Sequence, residues 1–308
     1  MELVATAQFK KSMEKAVAAD AYTKRLVGLV HDLAESGEQL PHPLLVERKQ
    51  ERSQKDVVLL VLSANRGMCG GFNAGVMRLA VGRLKDFQKD YAGVALEVSG
   101  KRGISAFRFR GAEIAQSYIH LQDKPALEQV AELADHYIEL FLTDKIDRLD
   151  VCYTKFDSLS RQYAVIETLL PVTELTTEGD VNAVRDEADP DLKKAAMAVQ
   201  AHKVIADGTD KGVGAMRQRG SHTLFEFLPS TESILEELVP KTFKAKLFKC
   251  FLDSAVSEQI ARMTAMKAAT DNADKMITLL TTAYNRARQT QITGEILEII
   301  SGADALAN

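Results

Sequence analysis

The sequence predicts an α/β protein: a long antiparallel coiled coil of N- and C-terminal helices with a Rossmann-like α/β domain inserted between them. Three observations carry this. Lys241 to Thr293 holds neither Gly nor Pro over 53 residues. As one helix it runs about 80 Å at about 1.5 Å per residue, against about 11–12 residues for an average helix. Second, the apolar run Val57–Leu62 leads through a Gly-rich turn into a stretch of helical periodicity, and strands alternating with helices imply a parallel sheet. Third, residues 1–35 hold the one other long helical pattern, at the opposite end of the chain. A helix of 80 Å cannot bury its apolar stripe within a domain of this size. It has to project and pack along something else, which suggests a shaft.

The elements follow in order. Residues 1–35 place Met13, Val17, Ala21, Leu26, Leu29, Val30 and Leu33 at helical spacings, mostly of three and four. Gly37 and the pair Pro41 and Pro43 end that helix. Met1 opens it without a capping residue, and from this we expect a truncated start. Val57–Ser63 reads as a strand buried on both faces. Ala74–Lys89 reads as a helix through Val76, Leu79, Leu84 and Phe87. A strand at Val94–Val98, a short helix at Lys101–Arg110 and a third strand near Ile114–Ile119 come next. Pro125–Leu142 is helical, Leu149–Phe156 a strand, and Ala164–Leu170 a candidate edge strand.

Residues 174–227 are an insertion with an acidic first part and a second part rich in Gly. The expected boundaries are 1–54 for the N-terminal helix, 55–227 for the α/β domain and 228–308 for the C-terminal helix. Pro240 either kinks that helix or precedes its start. Its seam is expected at Leu247, Phe251, Ile260, Met263, Ile277, Leu280, Tyr284, Ala287 and Ile296, interrupted by Lys267, Thr270 and Asp274.

Composition narrows the function. The 308 residues are 46% hydrophobic, with net charge −4, so bulk charge does not indicate nucleic acid. The stretch 241–293 carries nine Lys/Arg and four acids, a local excess that favours an acidic partner over a merely solvated face. Cys69, Cys152 and Cys250 are odd in number and far apart, which supports neither a disulfide framework nor a zinc site. The six histidines form no metal-binding spacing. No apolar run approaches the roughly 20 residues of a membrane helix, so any membrane association is expected through partners.

The loop Asn65–Asn73 follows a strand and opens a helix, where a phosphate or dinucleotide would sit. Its glycines at 67, 70 and 71 match neither GxGxxG nor a P-loop. A tight strand-to-helix turn is the plainer reading, and Cys69 has no obvious partner His for nucleophilic catalysis. No catalytic, cofactor-binding or metal-binding residue is assigned.

Four stretches carry a resemblance. They are Met1–Ala5, Arg66–Gly71, the segment Ala261–Asn272, and Ile292-Thr293-x-Glu295-x-x-Glu298-x-x-x-Gly302-Ala303-x-Ala305. In this order the chain resembles the gamma subunit of F-type ATP synthases. The resemblance implies a central shaft that rotates inside a ring of alpha and beta subunits. It implies an α/β domain that, with the epsilon subunit, grips the c-ring. It further implies peripheral placement on the cytoplasmic face of the bacterial inner membrane, and coupling of proton flow to ATP synthesis without bond chemistry on the shaft. Met1, Arg288, Gln289, Thr293, Glu295 and Glu298 are then expected to touch partners. About two dozen residues that the family usually has before Met1–Ala5 are missing here. The alternatives are a shaft copy that does not assemble, or an α/β nucleotide-binding protein with a coiled-coil arm.

Overall fold

The computed structural model describes residues 2–35, 42–45, 56–121, 125–172 and 231–307. The elements are α1 (Glu2–Glu35), β1 (Asp56–Leu62), α2 (Phe72–Asp90), β2 (Gly93–Ser99), α3 (Lys101–Phe109), β3 (Gln116–Tyr118), α4 (Leu127–Leu142), β4 (Arg148–Ser158), β5 (Arg161–Leu170) and α5 (Thr231–Ala307). The expected strands and helices of the α/β domain all form, with small shifts at their ends. Met1 and the segments 36–41, 46–55, 122–124 and 173–230 lie outside the described residues. With them fall the expected helix end at Gly37 and the whole insertion.

The sheet order is β3-β2-β1-β4-β5. β1 pairs parallel with β2 and β4, β2 parallel with β3, and β4 antiparallel with β5. β1 is central and apolar because both faces are covered. On one face Val57, Leu59 and Val61 pack under α2 and α3 with Val76, Phe87, Ile104 and Phe107. On the other Val58, Leu60 and Leu62 meet Tyr137 and Phe141 of α4 and Val239, Phe243 and Leu247 of α5. The start of α5 is therefore part of the core of the α/β domain.

Two buried carboxylates fasten the sheet, and both are satisfied. Asp150, fully buried, accepts hydrogen bonds from Arg83 Nε and Nη2 (3.0 and 2.9 Å), Arg148 Nε (2.7 Å) and Thr168 Oγ1 (2.8 Å). Glu97 accepts from the hydroxyls of Tyr118 and Tyr137, which joins β2, β3 and α4. Burial of Tyr137, reinforced by the charge of Glu97, pushes that phenol well above its usual value, so it remains a donor.

α5 runs unbroken through Pro240 for 77 residues, about 115 Å. Proline removes one helical N–H, but Leu235, Val239 and Phe243 beside it are buried against the sheet. Packing on that face holds the helix through the defect.

α1 lies antiparallel to α5. Asp20 meets Lys249, whereas Ala16 lies with Leu252, Val256 and Ile260, further along α5. The apolar positions whose spacing marks α1 as a helix do not all face α5. Val17 is 56% exposed, Leu29 and Ala21 are also exposed, and among the side chains of that set whose burial is described Leu26 is the fully buried member. The seam is instead Ala5, Phe9, Ser12, Ala16, Ala19, Thr23 and Leu26, all buried or half-buried. These positions alternate by three and four, a heptad register. Small side chains at most of them let α1 approach the bulkier Leu252, Val256 and Ile260 of α5.

Candidate functional site

Phe251 to Ile260 are ten consecutive buried residues. A surface helix buries one stripe, and burial all round requires neighbours on every side. α1 covers one side through Phe9, Ala16 and Ala19. β4 covers another, where Ser257 Oγ donates to Thr154 O (3.4 Å). The loop after β1 covers a third, with Ala64, Cys69 and Phe72 packing on Ala261.

That loop is the one whose glycines invite a phosphate reading. Its geometry is set by a different task. Gly70 has φ +53°, and a Cβ there would lie 3.9 Å from Ala261 O and 4.0 Å from Ala265 Cβ. Asn73 Oδ1 accepts the Ala64 N–H (2.9 Å), pinning the loop to the start of α2. Gly100, φ +99°, lets the next loop approach so closely that a Cβ would sit 1.9 Å from Ser63 O. The loop after β1 thus lies against α5 at Ala261 and Ala265. Cys69 is buried, and burial with the nearby Glu258 charge raises its thiol pKa, which disfavours a nucleophilic thiolate.

Four ion pairs lie in and around the grip. Arg262 Nη2 lies 2.6 Å from Glu258 Oε1, and Lys155 Nζ 2.8 Å from Glu167 Oε1. Lys249 Nζ lies 2.6 Å from Asp20 Oδ1, and Lys244 Nζ 2.6 Å from Asp135 Oδ1. Glu167 is held below the usual carboxylate range; burial opposes this, and Lys155 and Lys246 outweigh it.

From Lys267 to Ala303 the helix has no covered face, with almost every residue exposed. The backbone projects about 60 Å from Lys267 to Ala307. The distal half of the expected seam is correspondingly bare: Ile277, Leu280, Tyr284 and Ile296 are each more than half exposed, as are Met276, Leu279, Leu297 and Ile299. Among the described residues α1 thus pairs with the proximal part of α5 only. The partnered part of α5 ends near Met266, the last half-buried residue before the bare stretch, and Ala5 is the first described side chain of α1.

The charge reading also changes. Of the nine basic residues between 241 and 293, five (Lys241, Lys244, Lys246, Lys249 and Arg262) belong to the anchored part. Four of those five are consumed by Glu237, Asp135, Asp20 and Glu258. The projecting part carries Lys267, Lys275, Arg286 and Arg288 against Asp271 and Asp274 up to Thr293, so a strongly basic shaft is not what projects.

Arg288, Gln289, Thr293, Glu295 and Glu298 all lie on this projecting part and are exposed, while Met1 lies outside the described residues. Arg288 and Glu295 are seven apart and share one face; Gln289 and Thr293 share another, about 100° round the helix. Glu295 accepts a hydrogen bond from Gln291 Nε2 (3.0 Å). Sequence reasoning missed the grip residues Asp253, Glu258 and Arg262. A signal was present: Phe251–Ile260 has apolar or small residues in every direction round the helix.

Fold and site together define a class: a rigid shaft held at one end by an α/β domain and left bare at the other. Comparison with known proteins makes this particular. The family model for ATP synthase matches residues 1–306. The ATP synthase gamma chain of Rhodopirellula baltica is 47% identical over 306 residues, covering 99% of this chain and 92% of the relative. Those of Leptospira biflexa and Trichormus variabilis are 33% and 34% identical over 100% and 99% of this chain and 92% of each relative. Among solved structures, a chain of the central stalk and c-ring of the Tetrahymena thermophila mitochondrial ATP synthase is similar with a TM-score of 0.49. The identity there is 17%, over 87% of this chain and 99% of that one. The chain belongs to the gamma-chain family of ATP synthases.

Proposed function

We propose that the protein is the central stalk of a proton-translocating F-type ATP synthase, turning inside a ring of alpha and beta subunits. The observation that carries this is one helix with two environments. Residues 251–260 are enclosed by α1, β4 and the loop after β1, and 267–303 have no cover among the described residues. A stripe of Met276, Ile277, Leu279, Leu280 and Tyr284 in water is unfavourable for a free monomer and marks an interaction surface. The α/β domain and the epsilon subunit together hold the c-ring, so that torque enters at the gripped end and leaves at the bare one.

The shaft does no bond chemistry. Its part is to make different contacts with each of the surrounding catalytic sites and so shift their conformational equilibria in turn. The packing of the loop after β1 on Ala261 and the buried Cys69 thiol support a non-catalytic role. No helix among the described residues is long and apolar enough to cross a membrane. Attachment to the cytoplasmic face of the bacterial inner membrane is accordingly through the c-ring. Met1, Arg288, Gln289, Thr293, Glu295 and Glu298 touch the ring subunits. Met1→Lys places a cation toward acidic groups of a beta subunit and is expected to lower ATP-driven proton pumping per ATP hydrolysed.

The test is reconstitution with alpha and beta subunits and a probe fixed to an exposed residue of α2. ATP-driven stepwise rotation of the probe is the expected result. A complex that forms and hydrolyses ATP with a stationary probe overturns the reading. Failure to assemble favours the alternative of a non-assembling copy.

A further inference from the structure

Asp253 is the charge in the grip that is not accounted for. It is 2% exposed, inside the ten buried residues of α5, where α1 and β4 close on the helix. Its Oδ2 accepts no hydrogen bond. The cation closest to it, Lys249 Nζ, is 3.9 Å away, beyond hydrogen-bond reach, and lies 2.6 Å from Asp20 Oδ1 instead. The charged and titratable groups facing it come from every neighbouring element: Asp20 of α1, Lys249 and Cys250 of α5, Tyr153 and Lys155 of β4, and Glu167 of β5. Lys155 is committed to Glu167 at 2.8 Å. Each cation near Asp253 thus has another carboxylate closer, and Asp253 is the odd one.

A buried carboxylate with one oxygen lacking a donor among the described residues, and with its nearest cation held closer to another acid, carries a large desolvation cost, and the ordinary escape is to hold a proton. We propose that Asp253 is a proton-binding residue whose protonation sets how firmly α1 and the α/β domain hold the long helix, firm when the carboxyl is neutral and looser when it ionises. A neutral carboxyl is also a donor, and buried hydroxyl oxygens without partners occur on two of the same elements, Thr23 on α1 and Thr154 on β4. Burial is the largest influence on Asp253; Lys249 and Lys155 oppose it, Glu167 and Asp20 add to it, and the outcome is a pKa pushed up to about 7. The sign follows from linkage. Between the unfolded value, near 3.9 for an aspartate, and about 7, the folded chain binds a proton that the unfolded chain has lost. Stability from this group therefore falls as pH rises through that window and is level above it.

The inference concerns the chain alone and does not depend on the rotary reading. The experiment uses the full-length protein with ¹³C-labelled aspartate carboxyls, wild type and Asp253→Asn. One carboxyl, absent in the variant, is expected to titrate with a midpoint between pH 6 and 8. In hydrogen exchange, protection of the 250–260 amides, corrected for intrinsic rates, falls about tenfold or more in wild type from pH 5.5 to 8.5. In Asp253→Asn it stays level. A midpoint below pH 5, or the same pH dependence in both proteins, overturns the proposal. If Asp253→Asn does not fold, the wild-type titration still decides, and Lys249→Met, which removes the opposing cation, is expected to raise the midpoint.

Discussion

Two stretches of one helix, 251–260 and 267–303, have similar local chemistry and opposite surroundings. Both mix aliphatic side chains with hydroxyls and charges. In the first, every residue is enclosed by α1, β4 and the loop after β1; in the second, Leu279 is 71% exposed. Helix propensity does not separate them, since neither holds a proline. What separates them is whether the chain itself supplies the complementary surface. The comparison teaches that stability and coupling are assigned to different parts of α5. Substitutions in the first stretch should register in the folding of the chain alone. Those in the second should register when other subunits are present.

The largest effect is expected in the enclosed stretch. Phe251 is 1% exposed and joins the core that also contains Tyr153, Phe243 and Leu247. Phe251→Ala should cost about 3–5 kcal/mol, the range for a large core side chain replaced by a methyl, read by denaturant unfolding of the full chain. Leu279→Ala, which removes a similar apolar group from the bare stretch, should stay within about 0.5 kcal/mol. Equal losses at the two positions would erase the distinction.

Next is the pair Glu258 and Arg262. Glu258 is buried and Arg262 nearly so. Arg262→Met should cost about 3 kcal/mol, mostly the penalty of leaving Glu258 without its cation. Adding Glu258→Gln should recover most of that loss, because the uncompensated charge is gone. The measurement is a double-mutant cycle on thermal unfolding, with the coupling as the readout. Additive losses would mean the two side chains act by packing alone.

A smaller effect separates the half-exposed rim of the grip from its interior. Asp20 is held below the usual carboxylate value; burial works against this, and ion pairs to Lys24 and Lys249 prevail. A depressed acid contributes stability above its unfolded pKa and loses it as pH falls through its folded one. Asp20→Asn should therefore lower stability by about 0.5–1 kcal/mol, the size of a solvent-screened pair, at pH 6 to 9. The difference should vanish as the pH approaches 2. This is opposite in sign to the expected behaviour of Asp253, and the two variants compared across pH sharpen the contrast between rim and interior.

Much of this was legible in the sequence, for reasons that differ by region. The strands and helices of the α/β domain show because β1 is apolar on both faces and α2 keeps a helical period. The length of α5 shows because Gly and Pro are absent from 241 to 293. The α1 seam did not show. Ala5, Ser12, Ala16, Ala19 and Thr23 carry little hydrophobic signal, and the larger Val17 and Leu29, which mark the helix, stand on its outer face. Asp253, Glu258 and Arg262 did not show either: a charge taken singly gives no sign of being buried, and the sign lay in the apolar and small residues that surround the helix from Phe251 to Ile260. The loop Asn65–Asn73 was located correctly, but its use as a clamp depends on α5, almost two hundred residues away in the chain.

The smallest effect on folding, and the sharpest test of the bare stretch, is at Arg288 and Gln289. Both are exposed, and adjacent positions on a helix point about 100° apart, so one flat contact cannot use both. A surrounding ring can, because each meets a different subunit at a given angle. Replacing both with Ala keeps helix propensity and removes no buried group. Unfolding of the full chain should move by no more than about 0.5 kcal/mol. With alpha and beta subunits present, the proposed ring contacts predict that the same variant loses charge-assisted hydrogen bonds of roughly 1.5–3 kcal/mol each. Complex yield or steady-state ATPase should then fall severalfold, with Thr293→Ala, which shares the face of Gln289, acting in the same direction. Wild-type yield and turnover in both variants would show these side chains to be solvated in the assembly. The coupling surface would then have to be sought lower on the shaft, among Met276, Ile277, Leu280 and Tyr284.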